Sequence, residues 1–394
     1  MKKINKIAAL LSLPFLMLLS SCMDPIFYEL RKDVKPETAT VSGNISTVTR
    51  FTEDGTEYLY TAADKGLRRK RADNESHDAW SEKDIPFSLI AFDWDSTSFT
   101  GEQLLAVLAN SDTLYLISVD YSTTGTEGNT NPSKLNLWGK QSGGSWKKID
   151  FSFPLGYNYE SQKFVSLFSV FQTNSPQAAH RHAYVCKRVD GEYKCFELKG
   201  TDAPEEITIT KVEDGNPGDR LYSAVWFDGG VKFFTSHAAT TNETYNEAEA
   251  PTRPRLYYAD GEDLYYSGDN YSSDGKYVKA LDSDRVISAL TTCKDSILIG
   301  YGDITNTSSE YGGIGRASLD ENGIPASSTS SFSTNAAFQI TSAYAVLTLL
   351  NATPEKNETD SALYASITFS SSNGLHENIG LWSYYPGRGN WNRE

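Results

Sequence analysis

Basic residues are scarce in this chain: 36 Lys and Arg stand against 51 Asp and Glu, a formal net charge of −15 over 394 residues. Binding to a phosphate backbone needs a basic footprint, so nucleic acid is excluded as the main partner. Methionine (3), cysteine (4) and histidine (5) are few. There is no Gly-x-Ser-x-Gly elbow, no phosphate loop and no dinucleotide fingerprint. The sequence therefore nominates no catalytic residue, no cofactor and no metal, and the chain reads as a non-enzyme. Past the first residues no run is apolar enough to cross a bilayer. What the chain has instead is 23 Tyr, 18 Phe and 7 Trp, residue types that fit pleated, half-buried strands.

The N-terminus carries an address. Lys2, Lys3 and Lys6 precede an apolar run from Ile7 to Leu19. Thirteen residues at about 1.5 Å each are too short for a bilayer core of roughly 30 Å, and a basic start before such a run makes a secretory signal peptide. The following Leu19-Ser20-Ser21-Cys22 resembles the bacterial lipobox, which implies cleavage before Cys22 and acylation of its thiol. Removing residues 1–21, with three lysines and no acid, takes the chain from 394 residues to 373 and the charge from −15 to −18. Two or three acyl chains, at about 0.8 kcal/mol per buried CH₂, hold a protein firmly to a membrane. The expected organisation is a signal peptide over 1–21, an acylated Cys22 with a tether over 22–40, and a folded body over 41–394. The expected location is the cell envelope, the outer membrane favoured over the inner, with the side left open.

Cys186 and Cys195 flank Asp190-Gly191, a two-residue hairpin signal between strand-like runs. If Val189 and Glu192 close that hairpin, the two cysteines face each other at a non-hydrogen-bonded position, where side chains are closest. In an oxidising compartment this predicts a cross-strand disulfide. Cys293 lies beside an apolar run and reads as a buried free thiol.

A strand pair recurs along the body. First runs are centred near positions 48, 106, 168, 225, 289 and 347, at intervals close to 60 residues. Each is followed by a second run, often Leu-Tyr-rich, then a third (Gly66–Arg71, Lys134–Gly139, Tyr193–Leu198, Arg255–Ala259, Gly313–Leu319, Ile379–Tyr385). A fourth often begins with an aromatic, as at Trp80, Trp146 and Trp391. Four short strands per unit predict an all-β fold, a β-propeller of about six four-stranded blades, with seven as the alternative count. Immunoglobulin-like sandwiches would need about seven strands per 100 residues, which the period does not provide.

In such a ring the second-to-third strand loops share one face. Here they are long in four units: 122–132, 238–254, 303–312 and 370–378. Long polar loops on a rigid scaffold are where binding resides. Tyr121, Glu127, Glu243, Tyr245, Glu310 and Tyr311, in or beside three of them, are the contact candidates. His180 and His182 could share one side of a strand, but no third ligand is signalled. Arg68-Arg69-Lys70-Arg71 reads as an exposed strand of the first blade, with anionic lipid or glycan as the alternative use.

Cys22-Met23-Asp24-Pro25-Ile26-Phe27-Tyr28, then Val34-Lys35-Pro36 and Val41-Ser42-Gly43, together with the Leu-Tyr strands and Trp-closed units, resemble a group of spirochaete (treponemal) lipoproteins. The resemblance implies an envelope lipoprotein with a propeller-like body and supplies no catalytic residues. The functional expectation is a monomeric, membrane-anchored module that binds a protein or glycan through its long-loop face. A periplasmic scaffold subunit of envelope machinery and a glycan-active hydrolase are the alternatives.

Overall fold

The computed structural model describes residues 39–394 apart from 44, 46, 64–65, 77–78, 90–100, 121–133, 152–154, 159–162, 167, 175–177, 190–191, 208–224, 227–232, 238–255, 261, 268–276, 303–311, 321–322, 333–337 and 371–375. Unit 1 is the sheet β1 (Val48–Glu53), β2 (Thr56–Ala63), β3 (Gly66–Arg71) and β4 (Ser81–Lys83). Its first turn is Asp54-Gly55, with φ of 50° and 75°. Two positive φ values in a two-residue loop match the twist of the flanking strands, and Glu53 pairs with Thr56 across it. Unit 2 repeats the meander with β5 (Glu102–Ala109), β6 (Thr113–Asp120), β7 (Lys134–Gln141) and β8 (Lys147–Ile149).

A hairpin of β9 (Leu155–Asn158) and β10 (Lys163–Ser166) precedes unit 3, which is β11 (Phe168–Asn174), β12 (Ala183–Val189), β13 (Glu192–Glu197) and β14 (Glu205–Ile207). Then β15 (Val225–Trp226) pairs back on β10, making a small three-stranded sheet. Unit 4 is β16 (Phe233–His237), β17 (Leu256–Asp260), β18 (Asp263–Ser267) and β19 (Tyr277–Asp282). Unit 5 is β20 (Ile287–Thr292), β21 (Ser296–Tyr301), β22 (Ile314–Ser318) and β23 (Ser330–Ser331). Unit 6 is β24 (Tyr344–Asn351), β25 (Leu363–Ser370), β26 (His376–Tyr385) and β27 (Asn390–Arg393).

The first strands lie next to one another around the ring in the order β1, β5, β11, β16, β20, β24 and back to β1. The fold is a β-propeller, as the repeat predicts. The count of separate blades is five, not six, because units 3 and 4 share one eight-stranded sheet. Their first strands pair in parallel, from Val170↔Phe233 to Asn174↔His237. Apolar side-chain clusters hold the other five junctions: Phe51 and Tyr60 with Leu104 and Leu116, Tyr115 and Leu137 with Val170 and Val185, Tyr257 and Leu264 with Ile287 and Ile299, Leu298 and Ile314 with Val346 and Trp382, and Val41, Ile45 and Leu59 with Tyr364 and Leu381. Strands in the middle of a blade are covered on both faces, which is why Thr113–Val119 and Leu363–Phe369 are buried throughout.

The strand frame of unit 4 corrects the sequence reading. The repeat places its first strand near position 225. Instead β15 joins the small sheet, and the first strand is β16, some ten residues later. Periodicity alone cannot tell a short apolar run inside a blade from one beside it.

Candidate functional site

The direction of the strands gives the ring two faces. Connections after first and third strands lie on one, called the front; connections after second and fourth strands lie on the rear. The sequence reading favoured the rear. The six contact candidates, Tyr121, Glu127, Glu243, Tyr245, Glu310 and Tyr311, lie outside the described residues, as does Cys22. The strands flanking 238–255 do correct one point. They are the first and second of unit 4, so their facing ends are on the front, and the second-to-third connection of that unit is the tight turn between Asp260 and Asp263. The strand ends flanking 238–255 are therefore on the opposite face from those joined by the second-to-third connections of units 2, 5 and 6.

The described cavity is on the front. It measures about 720 Å³ and lies where unit 1 meets units 5 and 6. One wall is Ala72, Asp73 and Glu75, after β3. The other is the connection from β24 to β25, which contributes Thr353, Glu355, Lys356, Asn357 and Asp360. Lys294 from unit 5 and Tyr385, Pro386 and Gly387 from unit 6 complete it. The charged side chains lining it are exposed.

The outer wall is fastened from below. Glu358, 8% exposed, is bonded by Arg316 Nη1 and accepts from Ser296 Oγ at 2.8 Å, while its own N–H donates to Asp295 Oδ1 at 3.1 Å. Asn351, fully buried, donates from Nδ2 to Thr292 O at 2.9 Å and to Ser361 Oγ at 3.0 Å. Backbone polar groups are thus satisfied across a connection that has only one short 3-10 turn, Glu358–Asp360.

Beneath Tyr385 lies a buried polar cluster. Lys70 and Glu394 have side chains with no solvent exposure and form an ion pair. The same carboxylate accepts from Trp80 Nε1 at 2.6 Å and from Ser383 Oγ. The Lys70 ammonium lies 5.0 Å from the Tyr364 ring centre, 5.4 Å from Trp80 and 5.9 Å from Tyr385, within range of their negative faces. Burial pulls the Lys70 ammonium below the ordinary lysine range, and Glu394 offsets only part of this.

The basic stretch 68–71 is accordingly not an exposed strand. Arg68 pairs with Glu82 at 2.8 Å, Arg69 with Glu53 beneath the Tyr58 ring, and Arg71 with Asp73 at 2.7 Å. Arg71 is exposed, Arg68 and Arg69 are half-buried and Lys70 is buried, because neighbouring units pack against β3. A second polar cluster joins units 1 and 3: Arg50 and Arg181 both bond the Glu57 carboxylate, and Thr49 Oγ1 donates to Gln172 Oε1 at 2.6 Å. Burial would raise the Glu57 carboxyl, but the two guanidiniums outweigh it and hold it below its ordinary value.

Cys186 and Cys195 are register partners, and Val189 pairs with Glu192, the alignment the Asp-Gly turn predicts. Their side chains lie outside those described. Cys293 is a buried free thiol, pushed up to about 12 by desolvation. His182 bonds Glu197 Oε1 at 2.7 Å and stacks on Tyr184. Among the described residues no group of three His, Cys, Asp or Glu is placed to hold a metal ion, and no helix is long and apolar enough to cross a membrane.

No family model and no curated protein matches the chain. Solved structures similar to it include a mutant of AofleA from Arthrobotrys oligospora (11% identity, 91% of this chain and 87% of that one, TM-score 0.42). Others are BBS1N in complex with ARL6DN (11%, 90% and 84%, TM-score 0.39) and the GH43_1 enzyme of Xanthomonas citri with xylose (12%, 76% and 94%, TM-score 0.37). At these values the propeller is read from the sheets of this chain itself.

Proposed function

We propose that this protein is a lipid-anchored binding module of a bacterial cell envelope, held to the membrane through acyl chains on Cys22, with a protein or glycan as its partner. The observation that carries the binding role is the front cavity, with one wall from the start of the repeat array and the other from its end. A rigid ring fixes these loops relative to one another, which lowers the ordering cost of association. The walls offer carboxylates, two ammonium groups, an amide, a hydroxyl and one aromatic ring. That is a surface for a polar partner. The reading assigns no catalytic step, and segments 121–133 and 303–311, outside the described residues, remain second contact candidates.

The test compares the wild-type body with a variant carrying Glu355→Ser, Lys356→Ser and Asn357→Ser on a glycan array and in capture from solubilised envelope. The three side chains are exposed, so the fold is expected to survive. Loss of a wild-type ligand supports the cavity. Retained binding by the variant would overturn it and move the contact to those two segments. A bacterial protein captured in stable stoichiometry would favour the scaffold role over recognition of an external partner.

A further inference from the structure

Five junctions in the ring join units that are neighbours along the chain, so a covalent connection limits how far they can part. The junction of units 6 and 1 has no such connection. Its two sides come from opposite ends of the described chain. Three features close it. Residues 39–41 lie along β26: Ala39 N–H donates to Ile379 O at 2.9 Å, Leu381 N–H to Val41 O at 3.0 Å, and Val41 N–H to Glu394 O at 2.8 Å. Val41 and Ile45 are buried against unit 6 as the chain passes into β1. Gly380 makes room for this strap. Its φ is 86°, and a Cβ there would lie 2.7 Å from Val41 O and 2.8 Å from Ala39 Cβ. The third feature is the buried Lys70–Glu394 pair, with one partner on each side.

We infer that this junction is a latch: units 6 and 1 part as a local two-state element, with residues 39–41 as the strap and Lys70–Glu394 as the bolt. Parting them costs the strap hydrogen bonds, one apolar cluster, the ion pair and the Trp80–Glu394 hydrogen bond, and leaves the other junctions intact. The front cavity has a wall on each side of the junction, so opening the latch takes the cavity apart. A ligand that touches both walls holds the latch shut. The segment preceding residue 39 enters the fold through the strap, so a pull on that segment acts first on the latch and through it on the cavity. This inference stands whatever the ligand is.

The test is amide hydrogen exchange followed by mass spectrometry on the unmodified body at increasing, sub-denaturing urea. Peptides spanning 39–47 and 376–394 are expected to exchange through an opening that precedes global unfolding, at least about tenfold faster than those of β6 and β21. Exchange of the strap, β6 and β21 through one common global event overturns the latch. Gly380→Val places a side chain where the strap lies. It should release 39–47 and 376–394 further while leaving β6 and β21 at their wild-type rates. Unchanged protection of the strap in that variant also overturns the inference.

Discussion

Asn110 and Asn351 end the first strands of units 2 and 6 one register step apart, Asn110 aligning with Ala352, and each ties its turn to an adjoining unit. Asn110 Nδ2 donates to Leu198 O at 2.8 Å and its Oδ1 accepts from Thr113 N–H at 2.8 Å. Asn351 Nδ2 donates to Thr292 O at 2.9 Å and its Oδ1 accepts from Thr353 N–H at 2.8 Å. Both side chains are buried. Replacing either with alanine strands buried backbone groups, so each should lower stability by about 1–3 kcal/mol in urea unfolding. Only Asn351→Ala should also loosen the cavity wall, read as faster exchange over 352–362.

Acid should unfold the protein partly through Glu57. Its folded pKa lies below the ordinary value because Arg50 and Arg181 outweigh its burial. A depressed carboxylate contributes stability that is fully present above about pH 4.3 and is lost as pH falls through the lower folded value. Glu53 and Glu197 are shifted the same way, Glu53 against its burial by Lys140, Tyr60 and Arg69, and Glu197 chiefly by its hydrogen bond with His182. Glu57→Gln should reduce stability at pH 7, where two guanidiniums would share no carboxylate, and should flatten the loss below about pH 4. An unchanged acid limb in thermal scans would count against this assignment.

Alkali should act through tyrosine. Burial raises the hydroxyls of Tyr60, Tyr115 and Tyr364, and that of Tyr385 is pushed up to about 12. The folded state then holds these protons longer than the unfolded chain does. Stability is complete below the ordinary tyrosine value near pH 10 and falls as pH rises through the folded values. Ultraviolet titration should show a late tyrosinate fraction that ionises together with unfolding.

The register of β12 and β13 sets Cys186 opposite Cys195. A disulfide there should leave one reactive thiol, Cys293, when a body lacking residues 1–22 is denatured without reductant. Three thiols would exclude the bond. Cys186→Ser should lower stability by about 2 kcal/mol, since the loop is short.

Cys22→Ser should abolish incorporation of labelled palmitate and release the body from the membrane fraction. Retained label would place the lipid on another residue, and absence of label from the wild type would exclude acylation.

The sequence by itself determined the propeller and most of its strands, but not the strand frame of unit 4. Period-2 patterning, Leu-Tyr pairs and turn dipeptides are local signals, and β3 begins and ends where these place it. It also determined the Cys186–Cys195 register, because a two-residue turn sets every pair outward from it. Only the tertiary structure decided how units 3 and 4 merge, since a parallel pairing of β11 with β16 joins strands about sixty residues apart with no turn to announce it. The same holds for the fate of Lys70: its neighbours in sequence are three arginines, which suggest solvent, while its partner Glu394 is 324 positions away. The cavity was illegible for the same reason. Its walls come from the two ends of the repeat array and meet only when the ring closes, and ring closure is a long-range event with no local pattern.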